Sequence, residues 1–391
     1  MAGQLAGSLR PGKQDGVSHR PRRLRGRALG GQVLNRFGRP APGCGAGFFI
    51  SAAQRQAAAC GRHPPGSLTL ARVRSDDQVK PAYHFVINPA AGGGKGARVW
   101  AEIKERLAAR RVEFEWSVTR RPGDAEEIAA RIPEGVIAVA VGGDGTLSQM
   151  LAGLPPGRTL GVIPAGRGND FARSARISFA PRAALEQLLH GEVRPFDLPA
   201  VNGRPFLNVA GIGFDAHVAE RAERAPGQGS LPYLAAAVKT LAWYRPQRLV
   251  VDVDGRRSEG NVFLLAVGNG RYYAGGLKIC PSADYDDGLL DVCLAGDLSR
   301  AEALLALARV FRGTHIRQRK FHYGKAHIVR VDGPSSVRIQ ADGQVIGGLP
   351  ATFTVQQRAL NVVVPAGSWR PSKVTSIRGK AAAARSLGSS P

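Results

Sequence analysis

The 391-residue sequence has few cysteines and no long apolar run. Its four cysteines, Cys44, Cys60, Cys280 and Cys293, lie far apart and form no CxxC pair. This pattern predicts neither a zinc site nor a disulfide framework, and it is typical of a reducing cytoplasm. The longest apolar stretches, such as residues 261–268, are well short of the roughly 20 residues that cross a bilayer. We therefore expect a cytoplasmic protein without a transmembrane segment.

Acidic residues are scarce at both ends of the chain. Against 54 Lys+Arg there are only 30 Asp+Glu, a net charge of +24. Residues 1–74 hold 13 Lys/Arg and one acid, and residues 366–391 hold five Lys/Arg and no acid. Because the basic excess lies mainly in these ends, we expect no specific nucleic-acid binding. We interpret residues 1–79 as a disordered basic extension, either a targeting leader or an over-extended reading frame, and residues 366–391 as a disordered basic tail.

The residues between these ends divide into two patterns. Apolar strands at 82–88, 114–119, 136–141 and 159–164 alternate with helical segments, which predicts a parallel sheet covered on both faces. From residue 196 onward, helices at 214–224 and 231–244 are followed by short strands, which predict an antiparallel sandwich. The predicted strands are 248–253, 261–267, 288–294, 320–331, 336–341 and 351–364. A capping box, Ser299 to Glu302, begins one further helix. We therefore expect an α/β domain over 80–195 and a β-sandwich domain over 196–365, whose final segment could return to the first domain.

Three glycine-rich turns follow predicted strands, where open parallel sheets bind ligands. The most specific is Gly142-Gly143-Asp144-Gly145-Thr146, whose backbone N–H groups at a helix start favour phosphate. A carboxylate there implies either a divalent cation or a hydroxyl that gives up its proton. In the turn over 164–173, Arg167 could clamp a phosphate, and Asn169 and Asp170 are typical N-caps. The turn over 88–96 is not a Walker A loop, but Gly92-x-Gly94-x-x-Ala97 fits the loose dinucleotide fingerprint.

These segments together resemble the diacylglycerol kinase catalytic-domain superfamily, which includes bacterial lipid kinases and sphingosine kinases. The resemblance extends from about Tyr83 to Val364 and also includes the motifs at 208–216, 284–292 and 342–343. It implies a nucleotide-binding α/β domain like that of phosphofructokinase and NAD kinase, and a β-sandwich domain. It further implies transfer of the ATP γ-phosphate to a lipid hydroxyl, with Mg²⁺.

The resemblance also implies roles for individual residues. The nucleotide would be contacted by Asn88, Thr119, Gly142, Gly143, Asp144, Gly145, Thr146, Gly166, Arg167, Asn169 and Asp170. Asp197 matches a family acid near the nucleotide and metal. Asp284, Asp287 and the carbonyl of Leu289 match a structural Mg²⁺ site, and three acids within four residues agree with the oxygen ligands that this cation prefers.

The sequence departs from the family pattern at three places. Ser148-Gln149 stands where an Asn-Glu pair is usual, and Arg167 stands where Thr is common. Gln344 occupies the position of a Glu that resembles the general base, and an amide cannot accept the proton of a hydroxyl. Asp144 or Asp342 would then be the catalytic carboxylate, or the transfer needs little base assistance because its transition state is loose. We favour Asp144.

The expected function is that of a peripheral lipid kinase that meets its substrate, diacylglycerol or a related lipid, at a membrane surface. Three alternatives stay open. A soluble acceptor such as NAD is one, because NAD kinases also carry a GGDGT turn. A non-catalytic nucleotide- or lipid-binding protein is the second, because of Gln344. A dinucleotide oxidoreductase is the third, and it depends on the weak fingerprint alone.

Overall fold

The structure, a computed structural model, describes residues 83–223 and 231–369. The extension expected at 1–79 and most of the tail expected at 366–391 lie outside these residues. Within them, no helix is both long enough and apolar enough to cross a membrane.

The first half of the described chain is an α/β layer around a parallel sheet. Its strands run in the order β2-β1-β3-β4, all parallel. The strands are β1 (Tyr83–Ile87), β2 (Phe114–Val118), β3 (Ile137–Gly142) and β4 (Thr159–Pro164); the helices are α1 (Ala91–Ala109), α2 (Asp124–Ala129), α3 (Asp144–Gly153), α4 (Asp170–Ser174) and α5 (Pro181–Leu189). Every residue of β3 is buried, as expected for a strand with helices on both faces.

The second half contains two packed sheets and three helices. The elements are β5 (Glu192–Val201), β6 (Arg204–Pro205), β7 (Val209–Gly213), α6 (Phe214–Glu223), α7 (Leu231–Leu241), β8 (Gln247–Val253), β9 (Arg256–Val262), β10 (Leu264–Gly268), β11 (Leu290–Ala295), α8 (Arg300–Val310), a 3₁₀ turn (His315–Arg317), β12 (Phe321–Ala326), β13 (Ile328–Asp332), β14 (Arg338–Ala341), β15 (Gln344–Gly348) and β16 (Ala351–Val364). The two expected architectures, a parallel α/β sheet and a β-sandwich, are both confirmed.

One long strand joins the two halves. The start of β16 pairs antiparallel with β13, and Asn361 and Val362 near its end pair parallel with β4. The parallel sheet therefore continues into one layer of the sandwich, in the order β2-β1-β3-β4-β16-β13-β8-β9. The other layer has the order β12-β11-β10-β7-β14-β15. Phe206, Ile212 and Phe353 lie in the core between the layers, and helices α6 to α8 cover the outer face of the second layer.

Several expected elements differ in the structure. The predicted strand over 320–331 is two strands, β12 and β13, which join different sheets on either side of His327. The predicted strand over 261–267 is likewise divided at Phe263 into the end of β9 and most of β10. A run of alternating or apolar residues does not reveal a crossover between layers, because both sheets accept the same pattern. Strands β6, β7 and β15, most of β9 and helix α5 were not predicted, whereas both hydrogen bonds of the capping box at Ser299 are present.

Candidate active site

Two glycine turns lie side by side at the carboxyl edge of the parallel sheet. The turn after β3 contains Gly143 and the turn after β4 contains Gly166. A Cβ added at Gly143 would lie 2.8 Å from the Cα of Gly166, and one added at Gly142 would lie 2.4 Å from the Thr146 hydroxyl. Gly143 is required because the backbones of the two turns pack directly on each other, and Gly142 is required because the Thr146 side chain of the same turn packs against it. Gly145 is exposed in the first turn of α3.

The end of β1 is tied to the first of these turns. The Asn88 side-chain amide donates to the Thr146 hydroxyl at 3.0 Å, and its carbonyl oxygen accepts from the Ala90 N–H at 3.1 Å. Thr119 follows β2 and donates its backbone N–H to the Ile87 carbonyl at 2.8 Å. The structure therefore brings Asn88 and Thr146 into contact and places Thr119 at the same edge, one strand further out.

Asp144 begins helix α3 and faces the turn after β4. Its Oδ2 accepts from the backbone N–H of Asp170 at 3.1 Å, and its Oδ1 accepts from that of Phe171 at 3.0 Å. The carboxylate is thus held across the two turns while its residue stays partly exposed. Removal of this group from bulk water raises the pKa of Asp144, and the backbone hydrogen bonds oppose that effect only in part.

Asp170 is a second carboxyl group beside Asp144, and the two together are here called the acid cluster. Its Oδ2 accepts from the Gly275 N–H at 2.7 Å, whereas its buried Oδ1 has no hydrogen-bond partner among the described residues. Burial, followed by the negative charge of Asp144, raises the pKa of Asp170 to about 7. The nearest cation is Arg173, whose Nε lies 3.8 Å from Oδ1. Two carboxyl groups with raised pKa values therefore adjoin each other at the edge of the sheet.

Asp342 lies in the β14–β15 turn and holds the backbone of another segment. Its Oδ2 accepts from the Leu207 N–H at 2.7 Å, and its Oδ1 accepts from the N–H groups of Asn208 and Val209 at 2.8 and 3.3 Å. Burial raises the pKa of Asp342 to about 6, with a smaller contribution from Asp144. Its two oxygens anchor residues 207–209, and this arrangement is typical of a positioning group.

Gln344 faces the glycine turn from the second domain. A Cβ added at Gly145 would lie 3.9 Å from the Gln344 side-chain nitrogen, so this amide stands beside the start of α3. Its oxygen accepts from Arg204 at 3.2 Å. The position that the family pattern fills with Glu therefore does adjoin the site, but here it presents a neutral side chain.

Asn169 and Arg167 have different places in the turn after β4. The Asn169 side chain closes the turn, because its Oδ1 accepts from the Gly166 N–H at 2.8 Å and its amide donates to the Gly166 carbonyl at 3.1 Å. Asn169 itself adopts the left-handed conformation, with φ of 52°, which Asn tolerates better than most residues. Arg167 is exposed and makes no hydrogen bond or ion pair with any residue in the described ranges. It is therefore available to a ligand.

The acidic loop before β11 contains an ammonium group where the family resemblance implied Mg²⁺. Lys325 donates to Asp287 at 2.5 Å and to Asp291 at 2.8 Å, and Asp287 also accepts from the Leu289 N–H at 3.0 Å. Among the described residues, no group of three or more His, Cys, Asp or Glu side chains is arranged to hold a metal ion. The implied set of Asp284, Asp287 and the Leu289 carbonyl stays a prediction, and in this arrangement Lys325 neutralises Asp287.

Asp197 joins this loop to the rest of the fold. Its Oδ2 accepts from the Gly288 N–H at 2.6 Å, and its Oδ1 accepts from the Arg358 N–H at 2.8 Å. The side chain is almost fully buried. Asp197 therefore fixes the acidic loop against the irregular middle of β16, and both of its oxygens are engaged by backbone groups.

The sequence analysis missed a loop that completes the acid cluster. Ala274, Gly275 and Gly276 have consecutive positive φ values of 52°, 82° and 116°, and this turn directs the Gly275 N–H to Asp170. A Cβ at Gly168 would lie 3.3 Å from the Gly275 Cα, so the loop contacts the turn after β4 directly. The Gly-Gly pair after β10 indicates a tight turn in the sequence. The neighbouring residues do not show that this turn packs against the first domain.

A second group missed by the sequence analysis links this cluster to an apolar cavity. The fully buried Asp215 accepts from the Tyr233 hydroxyl and, at 2.5 Å, from the Gln340 amide. Gln340 in turn accepts from the Gly343 N–H at 2.8 Å, in the same turn as Asp342. Burial raises the pKa of Asp215 despite these donors. A chain of hydrogen bonds therefore connects α7 with the turn that carries Asp342 and Gln344.

Comparison with known proteins identifies the family. Residues 82–201 match the family model described as "Diacylglycerol kinase catalytic domain", and residues 208–364 match "YegS C-terminal NAD kinase beta sandwich-like domain". The chain is 30% identical over 295 residues to a diacylglycerol kinase of Bacillus subtilis, covering 72% of this chain and 95% of the relative. The chain belongs to the diacylglycerol kinase family.

Two further relatives and a solved structure agree with this assignment. The chain is 35% identical to a diacylglycerol kinase of Mycobacterium tuberculosis, covering 71% of this chain and 93% of that protein. It is 33% identical to a probable lipid kinase YegS-like protein of Pseudomonas aeruginosa, covering 68% and 91%. A putative diacylglycerol kinase from Bacillus anthracis has the same fold, with a TM-score of 0.63 and 23% identity over 74% of this chain and 98% of that one.

Membership of this kinase family implies the use of ATP, and the acid cluster fits the metal that accompanies it. A buried carboxylate oxygen without a partner, Oδ1 of Asp170, is a ligand that Mg²⁺ prefers. Asp144 lies beside it across the turn. Asp170, together with phosphate oxygens, would hold the cation of Mg-ATP, and the cation would neutralise charge on the transferred phosphate.

The kinase fold also contains a narrow apolar cavity behind the cluster. It lies between helices α7 and α8 and the outer face of the second sheet, with a volume of about 50 Å³. Tyr233 and Tyr273 are at its polar end, and their hydroxyls are 3.3 Å apart. Leu241, Leu277 and Phe321 are among the apolar residues of its wall. At this volume the cavity accommodates only one or two water-sized groups, so an alkyl chain would enter only if the helices separate.

Proposed function

We propose that the protein is a diacylglycerol kinase that transfers the γ-phosphate of Mg-ATP to the hydroxyl of a diacylglycerol-like lipid. The observation that carries this proposal is the position of Asp144. Its carboxyl group stands between two glycine turns at the carboxyl edge of a parallel sheet, with a raised pKa, and it adjoins Asp170. Family membership supports the kinase activity, and the chemistry of the cluster supports an alcohol as acceptor.

The glycine turns suit the nucleotide. At Gly142, Gly143 and Gly166 there is no room for a Cβ, so a phosphate would meet backbone N–H groups instead of side chains. The N-terminal end of the ten-residue helix α3 lies in the same place, and its dipole favours an anion. The exposed Arg167 guanidinium extends the turn after β4 and would contact phosphate oxygens.

Asp144 is a better proton acceptor than Asp342 or Gln344. Three backbone N–H groups occupy the Asp342 oxygens, and the Gln344 amide has no basic lone pair to offer. Asp144 accepts from the N–H groups of Asp170 and Phe171 and is partly exposed beside the glycine turn, where an acceptor hydroxyl could reach it. In the proposed step the acceptor oxygen bonds to the γ-phosphorus, the bond to the β-phosphate oxygen breaks, and the hydroxyl proton passes to Asp144. A carboxylate with a raised pKa is a stronger base for this transfer.

The second domain would hold the apolar part of the acceptor. The loop of Tyr273 and Gly275 extends from the polar end of the apolar cavity to Asp170. A lipid whose chains lie along α7 and α8 would therefore present its hydroxyl near the acid cluster. This arrangement supports a lipid acceptor over a small soluble one, which would have no use for the apolar wall.

Transfer of radiolabelled phosphate from ATP tests the proposal. The protein is incubated with Mg²⁺ and ATP and, in separate arms, with diacylglycerol, with sphingosine and with NAD. We expect labelled phosphatidic acid, and we expect Asp144→Asn to lose at least about a hundredfold in kcat because the base is removed. Gln344→Ala is the matched control at the other side of the turn and should retain activity within about threefold. Label only on NAD, or normal turnover by the Asp144→Asn protein, would refute the proposal.

A further inference from the structure

Exposed large apolar side chains are concentrated on two neighbouring helices. Ten such residues occur in the described ranges, and six of them belong to helix α7, helix α8 or the residues just after them. These six, here called the α7–α8 face, are Leu231, Val238, Trp243, Leu304, Leu305 and Phe311. The other four lie in β2, in β5 and after α4. Such a group of neighbouring exposed apolar side chains indicates a surface that a partner covers.

Both helices are apolar on their outer and inner sides. In α8, Ala303, Ala306 and Val310 are buried, whereas Leu304 and Leu305 point outward. Helix α7 likewise buries Ala237 and Leu241 and exposes Leu231 and Val238. A surface helix of a globular protein normally has a polar outer side, so exposed Leu and Val residues on the outer sides of both helices are typical of a covered or lipid-facing position.

The charges on helices α7 and α8 and on the residues just after them are mostly positive. Residues 231–245 contain Lys239 and Arg245 and no acid, and residues 300–320 contain six Lys/Arg and one acid. That acid, Glu302, is already engaged by Lys320 and by the N-cap of α8. The Arg221 guanidinium lies 5.5 Å from the centre of the Trp243 ring. Apolar and aromatic groups bordered by cations match the interface of an anionic bilayer.

We infer that the α7–α8 face docks on a membrane surface that carries anionic lipid headgroups. This inference rests on the proposed function, because a diacylglycerol substrate resides in such a membrane. A second copy of the chain is a poor occupant, since a two-fold interface through this face would bring its cations against each other. Docking also places the two helices that border the apolar cavity at the lipid surface, where a diacylglycerol could pass between them.

Two tryptophans provide a matched pair of variants. Trp243 on the α7–α8 face is 47% exposed with Arg221 over its ring, and Trp116 in β2 is 46% exposed with Lys104 over its ring. Neither is part of the proposed catalytic or nucleotide-binding groups. Trp243→Ala and the double variant Leu304→Ser/Leu305→Ser therefore test the face, and Trp116→Ala controls for the loss of an exposed aromatic ring.

The experiment measures sedimentation with sucrose-loaded vesicles of phosphatidylcholine, with and without phosphatidylserine, and without diacylglycerol. We expect the wild type and Trp116→Ala to bind the anionic vesicles. The face variants should bind at least about tenfold more weakly, and neutral vesicles should bind all proteins poorly. Phosphorylation of a short-chain, water-soluble diacylglycerol should stay within about twofold of wild type in all variants, which shows that they are folded and active.

The outcomes separate this inference from the proposed function. If the wild type binds anionic vesicles and the face variants do not, the docking surface stands even when no diacylglycerol is phosphorylated. Equal vesicle binding by wild type and face variants overturns the docking surface, whatever the activity. A wild type that sediments as a dimer, and face variants that are monomeric, would assign the face to a second copy and overturn the inference as well.

Discussion

Replacement of Asp170 by Asn should stabilise the protein at pH 8 and change its stability little at pH 4. The Asp170 side chain is almost completely buried, and its pKa is raised to about 7 by burial and by the charge of Asp144. In the unfolded chain the same group titrates near 3.8. Between these two values the folded state holds a proton that the unfolded state has released, so a rise in pH favours unfolding.

The size of this effect follows from the two pKa values. Each difference of one in pKa corresponds to about 1.36 kcal/mol, so a change from 3.8 to about 7 corresponds to on the order of 4 kcal/mol at pH 8. At pH 4 the group is neutral in the folded protein and still roughly 40% protonated in the unfolded chain, so little of this destabilisation is present. Asn has the same shape as Asp, and its oxygen can still accept the Gly275 N–H.

Urea denaturation at pH 4 and pH 8 measures this difference. We expect Asp170→Asn to raise the free energy of unfolding by a few kcal/mol at pH 8, up to about 4, and by less than about 1 at pH 4. Asp332→Asn, at an exposed position in β13, is the control and should change stability little at either pH. An Asp170→Asn protein that is no more stable than wild type at pH 8, or equally stabilised at both values, would show that this carboxyl group is not desolvated.

Three further predictions concern neighbouring parts of the molecule. Lys325→Ala should lower the free energy of unfolding, measured by urea denaturation, by on the order of 3 kcal/mol, because the buried Asp291 loses its cation. Millimolar Mg²⁺ should restore part of this stability in the variant and should not change that of the wild type. No restoration would contradict the idea that the Lys325 ammonium takes the place of a metal ion. Gly143→Ala should raise the KM for ATP at least about tenfold, since the new Cβ would lie 2.8 Å from the Gly166 Cα. Gly324→Ala is the control and should leave the KM for ATP unchanged, because nothing lies within 4 Å of its Cβ position. Equal KM values for the two variants would exclude close packing of the turns. The kcat/KM for lipid should fall on acidification at a higher pH than an ordinary Asp base would produce, because the pKa of Asp144 is raised by burial. A flat pH profile would argue against this group as the base.

The Asp170 prediction concerns a conflict between stability and function in the acid cluster. Asp144, Asp170 and Asp342 all have raised pKa values with burial as the main cause. A fold without a reaction to perform would gain stability by neutral residues at these places. Their presence is explained if a cation and a transferred phosphate complete the charge balance. A variant that gains stability and loses phosphate transfer would support this explanation.

The local sequence was sufficient to locate the glycine turns and the acids in them. Gly142 to Thr146 follow a continuous apolar strand, and that order alone places Asp144 at the carboxyl edge of a parallel sheet. The capping box at Ser299 similarly identified the start of α8. These features depend on neighbouring residues, so they can be recognised from spacing and residue type.

The distinction between Asp144 and Asp342 could not be made in this way. Both acids precede glycines in turns, and only the folded chain brings three N–H groups of residues 207–209 to Asp342. The same limitation applies to the metal site that the family resemblance implied. Lys325 is 38 residues from Asp287 in the sequence, and β12 must pair with β11 before the ammonium reaches the acids.

The alternation of strands and helices, the glycine turns and the family motifs determined the α/β sheet, the β-sandwich and the sheet edge that carries the glycine turns from sequence alone, because they arise from short-range periodicity and backbone geometry. Tertiary structure decided which sheet each short strand joins, which carboxylate is left for chemistry, and where the apolar outer sides of α7 and α8 meet. Those properties depend on contacts between distant segments, so the residue pattern of a single segment cannot predict these properties.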